Sequence, residues 1–403
     1  MNQDFNITNV GYYKRDNEMN VTVDVRPSRL NGNHMKFQKL QTSEGFVPKD
    51  QCINLAEPEV LDNGNIEHYL ESLLNYISIE GFGEQKPRFV TNKAFMGCLA
   101  SKPIKRKVLI FRYMGIIFIS FEKRERKSPE QYDTVYKTRK RASAVRGYTH
   151  GANYAYYLTR ESDDEKIPED YAKSGCKAVM KCDISTGYKE DLVFYSAEID
   201  ALNESNQHIE LKAIVRGTED AWFWKSSICT FYWKMLFGGC STMLVGDRTG
   251  AKKTPDQKTY VEKKTGRVRD KETGEVIDQR TNTSDKDFPA YSLCKIEELK
   301  IGEIFEKMEK AKQKEKVERE NLKPTNDIRF EEWSLEEGKE RVRHFFRQVK
   351  RVCRYPAMCI LAEEDQRRKG FWNFETVNEQ NETIQEFVEL VRTKMDIWKT
   401  NFF

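Results

Sequence analysis

Two neighbouring stretches, DLVFYSAEIDAL at 191–202 and HIELKAIV at 208–215, decide how the rest of the chain is read. Each is rich in β-branched and aromatic residues, and each reads as a strand. The polar segment Asn203–Gln207 reads as a turn that sets the two strands antiparallel. Side chains on a strand alternate between faces. Glu198 and Asp200 are therefore expected to project from one face of the first strand, and Glu210 and Lys212 from the matching face of the second.

Three carboxylates brought so close repel one another unless a cation sits among them. Hard oxygen donors select Mg2+ or Mn2+ over zinc. A lysine beside such an ion would orient the attacking water or stabilise charge on a phosphate. This is the arrangement of the (D/E)-x-K nucleases, in which a metal-activated water attacks a phosphodiester or pyrophosphate. Glu210 and Lys212 are then the candidate catalytic residues, and Glu198, Asp200 and Glu210 the candidate metal ligands. The same dipeptides also occur on the solvent face of antiparallel strands, where acid and base pair harmlessly, and both readings stand. Glu204 and His208 read as turn residues.

Outward from this block, DAWFWKSSICTFYWKMLF (220–237) predicts an aromatic-rich helix stopped by Gly238-Gly239, and STMLVGDR (241–248) a strand. Upstream, residues 1–60 read as extended segments with a turn at Arg26-Pro27-Ser28. IEHYLESLLNYISI (66–79) has helical spacing, a short helix covers Asn92–Leu99, and KVLIFRYMGIIFISFEKR (107–124) is a hairpin broken at Met114-Gly115. GYTHGANYAYYL (147–158) reads as a helix. Downstream, 249–288 is almost wholly polar and reads as an exposed or disordered insertion. EIFEKMEKAKQKEKVERE (303–320) predicts a charged, solvated helix, and two more helices are expected over roughly 335–354 and 375–396. The fold class that follows is α/β (α+β): a single domain over 1–403, with mixed or antiparallel central sheets flanked by helices and the 249–288 insertion within it.

In 403 residues, 68 basic side chains face 64 acidic ones, a net charge of +4 that does not by itself argue for nucleic acid. Nine cysteines without a C-x-x-C pair and only five histidines exclude a zinc cluster and a disulfide framework. Free thiols, a polar N-terminus and the lack of a long apolar run place the protein in the cytosol or nucleus and off the membrane.

In the order of these segments, Asp191–Arg248 resembles the core of the decapping exoribonuclease family, the DXO-like proteins. The matching pieces are S-A-E-I-D (196–200), I-E-L-K (209–212), the tryptophan-rich helix and L-V-G-D-R (244–248), with weaker similarity at Phe89-Val90-Thr91 and Arg26-Pro27-Ser28. Members of the family remove incomplete, NAD-type or other unusual caps from RNA 5′ ends, and many then degrade the RNA 5′→3′. The resemblance implies that the backbone carbonyl of Leu211 joins Glu198, Asp200 and Glu210 around the metal, that Lys212 contacts the scissile phosphate, and that Glu198 and Cys182 line the substrate pocket.

Three positions depart from the family pattern. Lys93 stands where the family carries an arginine that grips phosphate, and lysine lacks the bidentate fork. The G-Y-x-x-E motif falls on Gly147–Gly151 or on Gly151–Ala155, and neither ends in an acid. Lys234 stands where a pocket glutamine is expected; it would replace part of a metal's charge and leave a site that binds phosphate but cuts slowly, or else it is a snorkelling surface lysine.

RERK (124–127), KTRKRASAVR (137–146) and interleaved tyrosines suit single-stranded RNA, although KTRKR also resembles a nuclear-import patch and charge runs are commonly solvated faces. Nothing points to DNA specificity. The expected ligand is an RNA 5′ end or capped RNA. The sequence thus leaves two main functions: a metal-dependent RNA 5′-end hydrolase and exoribonuclease of reduced activity, or an impaired paralogue that binds RNA 5′ ends, nucleotides or a protein partner. A third, an interaction protein working through its charged C-terminal helices, accounts poorly for the acid–lysine block.

Overall fold

The computed structural model describes the chain except residues 1–4, 17, 35–52, 61–66, 68, 124–134, 163–166, 168–174, 186–190, 252–257, 263–266, 278–289, 321–332 and 369. The RERK segment, Ile66 and most of the tyrosine-bearing start of the basic run lie outside the described residues.

The strands are β1 (Asn6–Arg15), β2 (Val21–Val23), β3 (Ile53–Asn54), β4 (Phe89–Asn92), β5 (Val108–Tyr113), β6 (Ile116–Phe121), β7 (Cys176–Asp183) and β8 (Leu192–Glu198). They continue with β9 (Ala201–Leu202), β10 (His208–Val215), β11 (Cys240–Arg248), β12 (Thr259–Val261), β13 (Val268–Asp270), β14 (Ser292–Lys300), β15 (Cys359–Glu364) and β16 (Trp372–Val377). The helices are α1 (Glu71–Glu80), α2 (Lys93–Ser101), α3 (Val135–Thr159), α4 (Ile228–Gly238), α5 (Ile304–Glu320), α6 (Leu335–Val352) and α7 (Gln385–Phe402).

Among the described residues one sheet has nine strands in the order β16-β15-β5-β6-β4-β8-β7-β1-β2, and a second has five in the order β3-β14-β11-β10-β9. Both are mixed, because β4 runs parallel to β6 and β8 and β10 runs parallel to β11. The mixed-sheet, helix-flanked architecture expected from the sequence is the one observed.

Alternation along β8 shows how the layers are built. Val193, Tyr195 and Ala197 face a core shared with α2, α4 and α6, which fill the space between the two sheets. Phe194 points the other way, into a core closed by α1 and α7. On the outer face of the five-stranded sheet, Tyr154, Tyr157 and Leu158 of α3 cover Ile209, Leu211 and Leu244. Gly338 lets α6 reach α4, since a Cβ there would stand 2.0 Å from Trp233 Cζ2. Gly239 ends α4 in the left-handed region at φ 63°, as the Gly238-Gly239 pair predicts.

Four expectations need correction. Residues 191–202 are not one strand: β8 ends at Glu198 in the nine-stranded sheet, and the chain crosses through Ile199-Asp200 to β9 in the other sheet. The short β9 pairs antiparallel with β10, so the turn at Asn203–Gln207 is as expected. Second, the described part of 249–288 contains the β12–β13 hairpin, with Asp270 and Ile277 buried. Arg267 pins this hairpin by bonding Asp220, ahead of α4. Third, no helix begins at 375: β15 and β16 pair there, and α7 starts at Gln385. Fourth, the charged helix at 303–320 is not wholly solvated: Ile304 and Met308 of α5 are buried. Val342, Phe345, Phe346 and Val349 of α6, and Phe387, Val391 and Trp398 of α7, are buried. Among the described residues no helix is long and apolar enough to cross a membrane.

Candidate active site

The break after β8 creates the site. Because β9 pairs only Ala201 and Leu202 with β10, the amide of Leu211 has no strand partner, and Asp200 Oδ2 accepts its hydrogen bond at 2.7 Å. The crossover thereby hangs Asp200 beside Glu210 even though β8 and β10 belong to different sheets. The resulting cavity has a volume of about 480 Å³ and is walled by Glu198, Asp200, Glu210, Lys212, Lys93 and Lys234, with Arg15, Glu67, Tyr69, Asn92, Tyr148, Lys177 and Ser196 completing it.

Lys93 opens α2, whose Asn92 caps the helix by accepting from the Phe95 amide at 2.8 Å. Its Nζ donates to the carbonyl of Glu198 and lies 3.5 Å from Glu210 Oε2. Lys212 Nζ stands 2.6 Å from Glu210 Oε1 and 3.5 Å from Asp200 Oδ2, and donates to the Leu211 carbonyl at 2.7 Å. Burial works against the charge on Glu210, but Lys212 and then Lys93 outweigh it and hold this carboxyl at about 2. Burial dominates at Asp200 and raises its pKa despite Lys212. Burial also opposes the charges on Lys212 and Lys93, yet the facing carboxylates, Glu210 foremost, hold both above the usual lysine value. Lys234 is the exception. Burial, reinforced by the charge of Lys212, pulls it down.

Sequence reasoning missed the far end of the cavity. There Lys177 bonds Glu67 and lies 3.2 Å from Ser72 Oγ, and Tyr13 donates to or accepts from the same Oγ at 2.9 Å. Burial raises the cost of charging both partners, but each stabilises the other, so Glu67 is pushed down and Lys177 up. The local sequence gave little signal, since Lys177 shares its face of β7 with Lys181 and Asp183; what marks it is burial and its in-register pairing with Glu198. Tyr148 reaches the cavity from the G-Y-x-x-G segment, where the acid expected of the family is absent.

One residue does not sit where the resemblance implies. Cys182 is fully buried in the core between Val193 and Ile7 on its neighbouring strands, away from the cavity, and burial pushes its thiol pKa up. The Leu211 carbonyl is engaged by Lys212. His208 is a locking residue: its ring bonds Tyr12 Oη at 2.8 Å and the Gly238 carbonyl at 2.7 Å. A larger open cavity of about 740 Å³, lined by Lys105, Arg106, Lys107 and Glu363 among others, contains none of the residues singled out from the sequence.

Comparison with solved structures gives similarity along almost the whole chain. Rai1 of Candida albicans, solved with pU5 and Mn2+, matches over 97% of this chain and 97% of its own, at TM-score 0.53 and 13% identity. Rai1 of Scheffersomyces stipitis, solved with (3′-NADP)+ and calcium, matches over 99% and 97%, at 0.54 and 12%. The chain shares the Rai1 and Dxo1 fold. Dxo1 of K. lactis, solved with manganese, matches over 93% and 90%, at 0.53 and 13%. No protein-family model matches the chain, and no curated protein matches it. The likeness read from S-A-E-I-D and I-E-L-K therefore holds at the level of the Rai1/Dxo1 fold.

The donor set does not fit a resident divalent ion as it stands. Among the described residues no group of three Asp, Glu, His or Cys side chains is placed to hold one. Glu210, the best-buried acid, is bracketed by two ammonium groups, and the Leu211 carbonyl is occupied.

Proposed function

We propose that this chain binds the phosphate-bearing 5′ end of RNA, or a nucleotide resembling it, in a pocket whose hydrolytic machinery is impaired. The observation that carries the reading is the placement of Lys212 and Lys93 on the two oxygens of Glu210. An acid neutralised in this way does not readily collect a cation to activate water. The cavity still offers cationic and aromatic side chains that suit a phosphate and a base: Lys234, Arg15, Tyr69 and Tyr148. Support also comes from the fold, since Rai1 proteins of this architecture have been solved with pU5 and with a dinucleotide phosphate. The compartment in keeping with this ligand is the nucleus or cytosol.

A second reading keeps the enzyme. Glu198, Asp200 and Glu210 do line one cavity together with Lys212, so Mg2+ or Mn2+ displacing the two amines would assemble a decapping or exoribonuclease site. Purified protein is to be incubated with 5′-triphosphate, NAD-capped and unmethylated-cap RNA in Mg2+ or Mn2+, with Glu210→Ala as control. Binding without turnover supports the first reading. Turnover that Glu210→Ala abolishes overturns it in favour of the second.

A further inference from the structure

If the pocket binds RNA 5′ ends, its lysines say how. We infer that it recognises a terminal phosphate monoester through ammonium groups with no divalent ion required, and that Lys234 is the group that meets the phosphate. This deepens the binding reading and rests on it.

Three ammonium groups wall one side of the cavity, and only two have internal work. Lys212 and Lys93 are held by Glu210, with Lys212 also near Asp200. Lys234 projects from α4 into the same cavity and makes no hydrogen bond or ion pair among the described residues. Burial and two like charges weaken its hold on its proton, a penalty that an incoming anion removes. A terminal phosphate carries about −1.5 to −2 charge near neutral pH. An internal phosphodiester carries only one negative charge, so the end of a chain is the better match. A divalent cation entering here would face three positive groups, whereas in a metal-loaded pocket the cation itself would hold the phosphate.

The probes are short fluorescent RNAs, identical except for a 5′-monophosphate or a 5′-hydroxyl, titrated with the full-length protein in EDTA and again in Mn2+. The expected result is binding in EDTA, with the 5′-monophosphate favoured by about tenfold or more, the value of one charge-assisted hydrogen bond. Lys234→Met keeps the apolar stem and should erase that preference while leaving the melting temperature within a few degrees of wild type. Lys234→Arg should restore part of it.

Binding of the 5′-monophosphate only in Mn2+ overturns the metal-free inference and leaves the RNA reading standing. Equal affinity for the two ends, or an unchanged preference in Lys234→Met, overturns the role given to Lys234. A protein that binds uridine 5′-monophosphate in EDTA but ignores RNA keeps the phosphate inference and overturns the RNA reading. No binding to any probe overturns both.

Discussion

Glu210 has a side chain only 4% exposed, and its two oxygens are shared between Lys212 and Lys93. Removing its charge leaves two half-buried amines with less to hold them. Glu210→Gln is expected to destabilise the fold by roughly 3 kcal/mol, at the low end for breaking a buried pair, because Lys212 still has Asp200 3.5 Å away. Chemical denaturation measures this, and no loss would mean that the amines are not buried against the acid. The same residue sets a pH dependence. Its folded pKa of about 2 lies below the ordinary 4.5, so the unfolded chain takes up the proton first as pH falls. The stability it contributes is complete above about pH 4.5 and is lost as pH drops towards 2. The wild-type melting temperature should fall across that window more steeply than that of Glu210→Gln. At this scale Lys212, singled out by strand alternation beside Glu210, and Lys93 and Lys234, singled out by the resemblance, line one cavity. Cys182 was misplaced because a cysteine is equally at home in a core, and nothing local tells a core thiol from a pocket thiol.

At the scale of elements, α2 and α4 deliver the lysines. Asn92 caps α2 one residue before Lys93, so Asn92→Ala should cost about 1 kcal/mol and loosen the hold of Lys93 on the Glu198 carbonyl. Gly338→Ala would drive a methyl into Trp233, and an overpacking loss of about 1–3 kcal/mol is expected in thermal melts. The local pattern made β5, β6 and β10 legible as runs of β-branched and aromatic residues, and β5 and β6 are buried on both faces. It could not show that β8 and β10 lie in different sheets, because alternation reports a strand's own faces and says nothing about its neighbours. Nor did it find β16, whose WNFETV mixes polar and apolar residues as an edge strand does, ahead of the helical pattern that begins near Ile384.

At the scale of the whole molecule, two mixed sheets clasp a layer of helices, and the crossing from β8 to β9 falls at the pocket. Such an architecture can carry different chemistries, so the fold alone does not decide between cutting and binding. The proposed binding reading rests instead on the charges in the pocket. The direct measurement is a titration of the full-length protein with Mn2+, followed by the paramagnetic resonance signal of the free ion. The account predicts that the free-ion signal rises in step with added Mn2+ and that Glu210→Ala titrates like wild type. One tightly held ion per chain, lost in Glu210→Ala, would contradict it.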